Sequence, residues 1–186
     1  MTASRGGTLW LFDGAPTGHV VSQLGAARHL AGLVKSGPIH DQAVRIADLL
    51  ADPARTAVVL VTIVEEMPVN ETIDLAHRFA DETDIKPAAL LVNQLQPEVV
   101  PESEIPAFKR LVAGAGRRQF LNKYPEGEPL IVAGEMMLEA RDRSRHLGQL
   151  LQRSLKLPTV NVPYVFQRHH GFAFTRTMAK ALEQVE

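Results

Sequence analysis

The sequence predicts an α/β fold with a mostly parallel β-sheet and helices on both faces. Three observations carry this. Four short apolar runs stand out, and the second of them is nearly continuous and β-branched without polar alternation, the pattern of a strand buried on both faces. Segments with apolar residues at helical spacing lie between those runs. The resulting order is strand, two helices, strand, helix, strand, two helices, strand, helix, the alternation that builds parallel sheets.

The elements follow in order. Thr8–Phe12 (TLWLF) is the first expected strand. After Gly18, the spacing of Val20, Val21, Leu24, Ala27, Leu30, Ala31 and Val34 predicts a helix, interrupted by Gly37-Pro38. A second helix is expected from about Ile39 to Ala51, and Asp52-Pro53 stops it. Thr56–Ile63 is the second strand, nearly continuous and β-branched. A helix from about Pro68 to Asp84 follows, with Pro68 tolerated in the first turn. Ala88–Leu95 is the third strand, and Gln96–Pro106, rich in Pro and Glu, reads as a surface loop. Helices over Phe108–Asn122 and Glu135–Leu155 are separated by the turn-rich Tyr124–Pro129. Thr159–Phe166 is the last strand, and a helix from about Gly171 to Val185 closes the series.

Composition bounds the function. The 186 residues suit a single domain, 1–186. A hydrophobic fraction of 45% and a charged fraction of 22% fit a globular chain with a real core. The net charge of −1 supplies no global pull toward nucleic acid or anionic lipid, so neither partner is expected. The chain has no cysteine, which excludes disulfides, thiolate metal sites and a cysteine nucleophile. The apolar run near the start is too short for a signal peptide, and no run reaches the length of a membrane span. A cytoplasmic location without membrane insertion is the expectation.

Asp13-Gly14-Ala15-Pro16-Thr17-Gly18-His19 joins the first expected strand to the first helix. Ligands of open α/β sheets bind at the carboxyl ends of strands. A carboxylate there suits a hydrated magnesium ion, and the glycines let backbone approach a ligand. Thr17 and the free N–H groups of the helix start suit a phosphate. The alternative is a strand-to-helix turn in which Asp13 or Thr17 merely caps. Asn93, ending a buried apolar strand, must satisfy its amide. It either bonds neighbouring loop backbone or meets a purine edge.

The segment Asp13–His19 resembles the D-T-A-P-T-G-H signature of the ArsA-type anion-pump ATPases and their relatives that target tail-anchored membrane proteins. Gly14 stands where that family has Thr. Val61–Thr72 looks like the family's strand-to-helix segment ending in Glu-Thr. Leu91-Val92-Asn93-Gln94-Leu95 looks like its V-N-Q strand end, and Val162-Pro163-Tyr164 is similar to its last strand and adenine-side loop. The matches keep the family's order from about Leu9 to Leu182. The resemblance implies a P-loop NTPase-like fold, ATP and magnesium as ligands, and a homodimer or a heterodimer with a complete ArsA-type ATPase. It implies a nucleotide site at Asp13, Pro16, Thr17, Gly18, His19, Asn93, Gln94, Pro163 and Tyr164. Asp13 would hold magnesium through water, the segment to His19 would be a switch, and Asn93 with Pro163 and Tyr164 would face adenine.

One part of that pattern is missing. The family's phosphate loop ends in G-K-[ST], its N–H groups cradling phosphates and its lysine neutralising them. Ser4-Arg5-Gly6-Gly7-Thr8 resembles it superficially, but no G-K-[ST] occurs anywhere. The fold is therefore read as incomplete, and no residue is assigned a catalytic role. The expectation is a shortened ATPase, inactive alone. The alternative is a non-catalytic regulatory or dimerisation subunit. Without cysteine, neither a trithiolate arsenite site nor a zinc clasp can form. The roughly 36 residues between His19 and Thr56 leave little room for a membrane-helix groove.

Other candidates have plainer readings. Glu65 and Glu66 are adjacent on a strand end and point apart, so they suit a helix start better than acid–base chemistry. Arg141, Arg143, Arg145, His146, Arg153 and Lys156 share one expected helix, with Arg117 and Arg118 nearby, and read as a solvated face. No aromatic residues interleave with them as single-strand binding would require. Arg168-His169-His170 offers two histidines without a third metal ligand.

Overall fold

A computed structural model describes residues 8–15, 17–96, 100–165 and 171–183. It is α/β, with a three-stranded parallel sheet flanked by helices. The chain forms two compact units, residues 1–57 with 77–86, and residues 58–76 with 87–186.

The first unit is helical. Helix α1 (Thr17–Leu33) and helix α2 (Pro38–Ala51) pack against each other. Their junction works because Gly37 takes φ +99°, a region L side chains avoid, and Pro38 then opens α2 without needing its missing N–H. The His40 ring caps the first helix: its Nδ1 lies 2.7 Å from the Val34 carbonyl and 3.2 Å from that of Ala31. The last turns of helix α3 (Glu66–Glu82) belong to this unit from His77 onward. Phe79, Val21, Ala43 and Ile85 are buried. Thr83 ends α3 with its side chain: Oγ1 donates to the Phe79 carbonyl at 2.7 Å and accepts from the Ile85 N–H at 3.1 Å.

The second unit carries the sheet. Strands β1 (Val58–Ile63), β2 (Pro87–Leu95) and β3 (Thr159–Pro163) are parallel in the order β1-β2-β3. Leu60 pairs with Leu90 and Thr62 with Val92, while Leu90 and Val92 pair on their other side with Thr159 and Asn161. Partners in register share a face, so these six residues form one. Leu60, Thr62, Leu90 and Val92 are all buried. On the opposite face Val59 and Val61 are exposed. Pro87 stands at the first position of its strand, where its missing donor is tolerated.

Between β2 and β3 the chain runs through a short 3-10 turn (Glu102–Glu104), α4 (Ile105–Val112), α5 (Gly114–Lys123), a second 3-10 turn (Pro125–Gly127) and the 28-residue α6 (Glu128–Leu155). Helix α7 (Phe172–Glu183) follows β3 and packs beside it.

Three expectations change. Thr8–Phe12 is not a strand: it is irregular, and Leu9, Trp10, Leu11 and Phe12 are each at least 84% exposed. An apolar run becomes a strand only when a neighbour takes up its N–H and C=O groups, and among the described residues none pairs with it. The single helix expected over 108–122 is two, because Ala113 is extended and Gly114 has φ +51°. Helix α6 begins at Glu128, inside the expected Tyr124–Pro129 turn, because Pro129 falls in its first turn where proline is compatible with helix.

Candidate functional site

Asn93, Gln94, Pro163 and Tyr164 meet at the carboxyl ends of β2 and β3. Leu95 is in register with Pro163, and the Tyr164 N–H donates to the Leu95 carbonyl at 2.8 Å, prolonging the ladder past the strand end. The pairing slips between Val92 and Leu95 because Gln94 has φ +55°. This is a bulge, a device that re-aims side chains at strand ends. A non-glycine residue in the left-handed region is strained, and here the Asn93 side chain supports it. Asn93 Oδ1 accepts from the Gln94 N–H at 2.9 Å. That bond turns the amide oxygen to the backbone and leaves its NH2 donors on the other side. Thus the Asn93 amide does bond neighbouring backbone, as one sequence reading held, while keeping donors for a ligand.

The other sequence-predicted residues belong to the first unit. Asp13 is exposed and follows an irregular segment rather than a strand. Gly18 and His19 sit exposed in the first turn of α1, which Thr17 opens. Pro16 and the side chain of Thr17 lie outside the described residues, as do Arg168, His169 and His170. Among the described residues no group of three or more His, Asp or Glu side chains gathers to hold a metal.

Beside the rim, a cavity of about 470 Å³ opens between α6 and the buried face of the sheet. Leu90, Val92, Thr159 and Asn161 form its floor, and Leu138, Arg141, Ser144, Arg145, Gly148 and Leu151 its roof. Sequence reading missed it. The solvated face expected of this helix holds for Arg143, Arg145, His146, Arg153 and Lys156, which are exposed, while Arg141 is half-buried; what the sequence did not show is that Arg141 and Arg145 converge on the carboxylate of Glu102. Arg141 Nη2 lies 2.5 Å from Glu102 Oε2, Arg145 Nη1 lies 3.0 Å from Oε1, and Arg145 Nη2 also contacts Oε2. The hydrogen bond from Arg145, opposed by desolvation and reinforced by the charges of both arginines, holds the Glu102 carboxyl below the usual carboxylate range. Arg117 likewise joins α5 to α6 through Glu128 and Glu135. The helical spacing of 141, 145 and 148 was legible; that this stripe faces the sheet was not.

Comparison with known proteins covers one side of the rim. The sequence model of the anion-transporting ATPase family matches residues 33–114, a stretch that contains Asn93 and Gln94. The chain is similar to ATPase BagA of Mycobacterium tuberculosis, at 32% identity over 85 residues, covering 46% of this chain and 24% of the relative. It is similar to the same extent to a Mycobacterium bovis protein, Mb3704, whose name also describes an ATPase. The aligned part spans about a quarter of the length of these relatives, at 24%. Residues 33–114, less than half of the chain, are thus similar to the ArsA-type, anion-transporting ATPase family.

Proposed function

We propose that this chain forms the adenine-facing side of an ArsA-type nucleotide site. The carrying observation is the meeting of Asn93 and Gln94 with Pro163 and Tyr164 at the carboxyl ends of adjacent parallel strands. Ligands of open α/β sheets bind there. The Asn93 NH2 donors suit a ring nitrogen of adenine, and its Oδ1 has a second lone pair for the exocyclic amine. Half-exposed Tyr164 and Pro163 offer apolar surface to a flat base.

The residues fit the two ends of a nucleotide unequally. The adenine end has donors, an acceptor and apolar surface. The triphosphate end has no G-K-[ST] among the 186 residues, so the chain holds no loop to neutralise it. Asp13 is a single exposed carboxylate, suited to magnesium that keeps most of its water. Pro16, Thr17, Gly18 and His19 would follow the nucleotide's state as a switch segment. We therefore derive no hydrolytic step within this chain. A complete ArsA-type subunit, in a homodimer or heterodimer, is the partner whose phosphate loop would finish the site.

The test is a titration of the purified chain with a fluorescent adenine nucleotide in magnesium buffer, with and without Asn93→Ala. Weak saturable binding is expected, with no turnover. Asn93→Ala should weaken it about tenfold, the worth of one to two lost hydrogen bonds. Equal affinity of the two proteins would remove Asn93 from the site. Turnover by the chain alone that is lost in Asp13→Ala would show that no outside loop is needed.

A further inference from the structure

We propose that a second copy of this chain docks its Thr8–Phe12 segment along the outer edge of β1, and that two copies exchange these segments reciprocally to form a twofold dimer. The surface shares no residue with Asn93, Gln94, Pro163 or Tyr164. The exchange brings no phosphate loop, so it stands apart from the nucleotide reading.

The first observation is an unprotected edge. Among the described residues β1 ends the sheet on one side and β3 on the other. A strand edge presents unpaired N–H and C=O groups, and natural edges are commonly blunted by charged side chains or proline. Strand β3 is marked in this way: Pro163 and an exposed Asn161 lie within it, and α7 packs beside it. Strand β1 reads VVLVTI, with no charge and no proline. Its Val59 and Val61 are 50% and 62% exposed. The edge that nothing covers is therefore the one whose sequence invites pairing.

The second observation is a strand-like segment with nothing beside it. Thr8–Phe12 reads TLWLF, again without charge or proline, and its four large side chains face water. Alternate residues of a strand point to opposite faces, so Leu9 and Leu11 form one set and Trp10 and Phe12 the other. Both sets are apolar. Strand β1 asks for that, because an added strand extends both of its faces: one carries the buried Leu60 and Thr62, the other the exposed Val59 and Val61. A strand with one polar set would suit only the second.

Area favours reciprocal exchange over a single contact. Aromatic rings bury about 150–250 Å² each, so one docked segment with the valines it covers removes on the order of 750 Å² from water, and two remove about 1,500 Å². Stable interfaces bury about 1,200–2,000 Å², which the exchanged dimer reaches and one contact does not. A closed twofold also leaves neither segment nor edge free to recruit further copies.

The test follows the full chain from roughly 0.1 to 500 μM, a range that brackets micromolar association, by sedimentation velocity and by Trp10 emission. Trp10 is the sole tryptophan, so the emission reports on the segment alone. A monomer should give way to a dimer, and over the same concentrations the emission should move to the blue and acrylamide quenching should fall. Leu11 and Val61 are both exposed in the single chain, so Leu11→Lys and Val61→Lys should keep the wild-type circular dichroism. Each should weaken dimerisation about tenfold or more, the worth of one buried aliphatic side chain. Val61→Lys should also abolish the Trp10 shift although its own segment is intact, and Val59→Lys should do the same. A monomer at every concentration would overturn the proposal, as would assembly beyond the dimer or a dimer with unshifted Trp10. Trp10 already protected in the monomer would place the segment on its own chain and overturn it too. A dimer that survives Leu11→Lys joins edge to edge, and one that survives both valine variants joins segment to segment; either result excludes the exchange.

Discussion

Gly134 and Gly148 permit a paired experiment in which the same substitution in the same helix has opposite signs. Both lie inside α6, so alanine at either position gains the same helix propensity, about 0.5–1 kcal/mol. At Gly148 nothing opposes the gain, because a Cβ there meets no atom within 4 Å. At Gly134 a Cβ would stand 2.1 Å from Phe108 Cζ and 3.0 Å from both Cε atoms, so the ring must leave its place. Overpacking of that kind costs about 1–3 kcal/mol. The propensity terms cancel when the variants are compared, so Gly148→Ala should exceed Gly134→Ala in unfolding free energy by the overpacking cost alone, about 1–3 kcal/mol. Urea denaturation followed by circular dichroism at 222 nm measures both, a far-UV wavelength at which helix dominates. Unchanged m-values would assign the difference to the folded state. Equal stability of the two variants, or a Gly148→Ala protein less stable than wild type, would refute the assignment of one glycine to packing and the other to empty space.

Further outcomes follow from other residues. Leu151→Ala should cost about 2–5 kcal/mol, toward the upper end because the fully buried side chain borders space that is already open. Thr83→Val should cost about 1–3 kcal/mol by urea denaturation, since it leaves the Ile85 N–H without the acceptor it now has. The Glu102 carboxyl is held below its usual range, so its pairing with Arg145 and Arg141 contributes stability above the unfolded-state value and loses it as pH falls through the lowered folded value. Glu102→Gln should therefore be less stable than wild type at neutral pH and match it in acid. An unvarying gap between pH 7 and pH 2 would contradict that linkage. Trp10 is the sole tryptophan and is exposed, so in the dilute single chain its fluorescence should be that of a solvated indole, open to quenching by acrylamide. A blue-shifted, protected emission at that dilution would mean that Leu9–Phe12 is buried within its own chain.

The sequence made the three paired strands legible and misread a fourth for one physical reason. TAVVLVTI, AALLVNQL, TVNVPYVF and TLWLF are all apolar runs bounded by turn formers. Hydrophobicity records that a segment prefers to leave water. It does not record whether a neighbouring strand is there to accept its backbone hydrogen bonds. Val58–Ile63, Pro87–Leu95 and Thr159–Pro163 have such neighbours, and Thr8–Phe12 has none among the described residues. The split at Gly114 was missed because apolar periodicity carries across one left-handed residue, whereas the backbone does not. At the rim the Asn93 reading from chemistry alone was sound. A polar amide ending a buried strand had to find a partner, and it found the Gln94 N–H. The bulge that made this donor available depends on Gln94 at φ +55°, and no rule of composition assigns that conformation to glutamine.

The cavity was illegible for a deeper reason. A packed core is specified by the residues that are present, and periodicity finds them. A cavity is specified by a side chain that is lacking, and one glycine in a helix looks like another. Gly134 and Gly148 stand about four helical turns apart on α6, and only the distance from a hypothetical Cβ to its neighbours separates them. The Phe108 ring occupies the place of the first; nothing occupies the place of the second. Leu138 and Leu151 show that this stripe of α6 can bury apolar side chains against the sheet. A larger residue at 148 was therefore sterically available and would have raised stability.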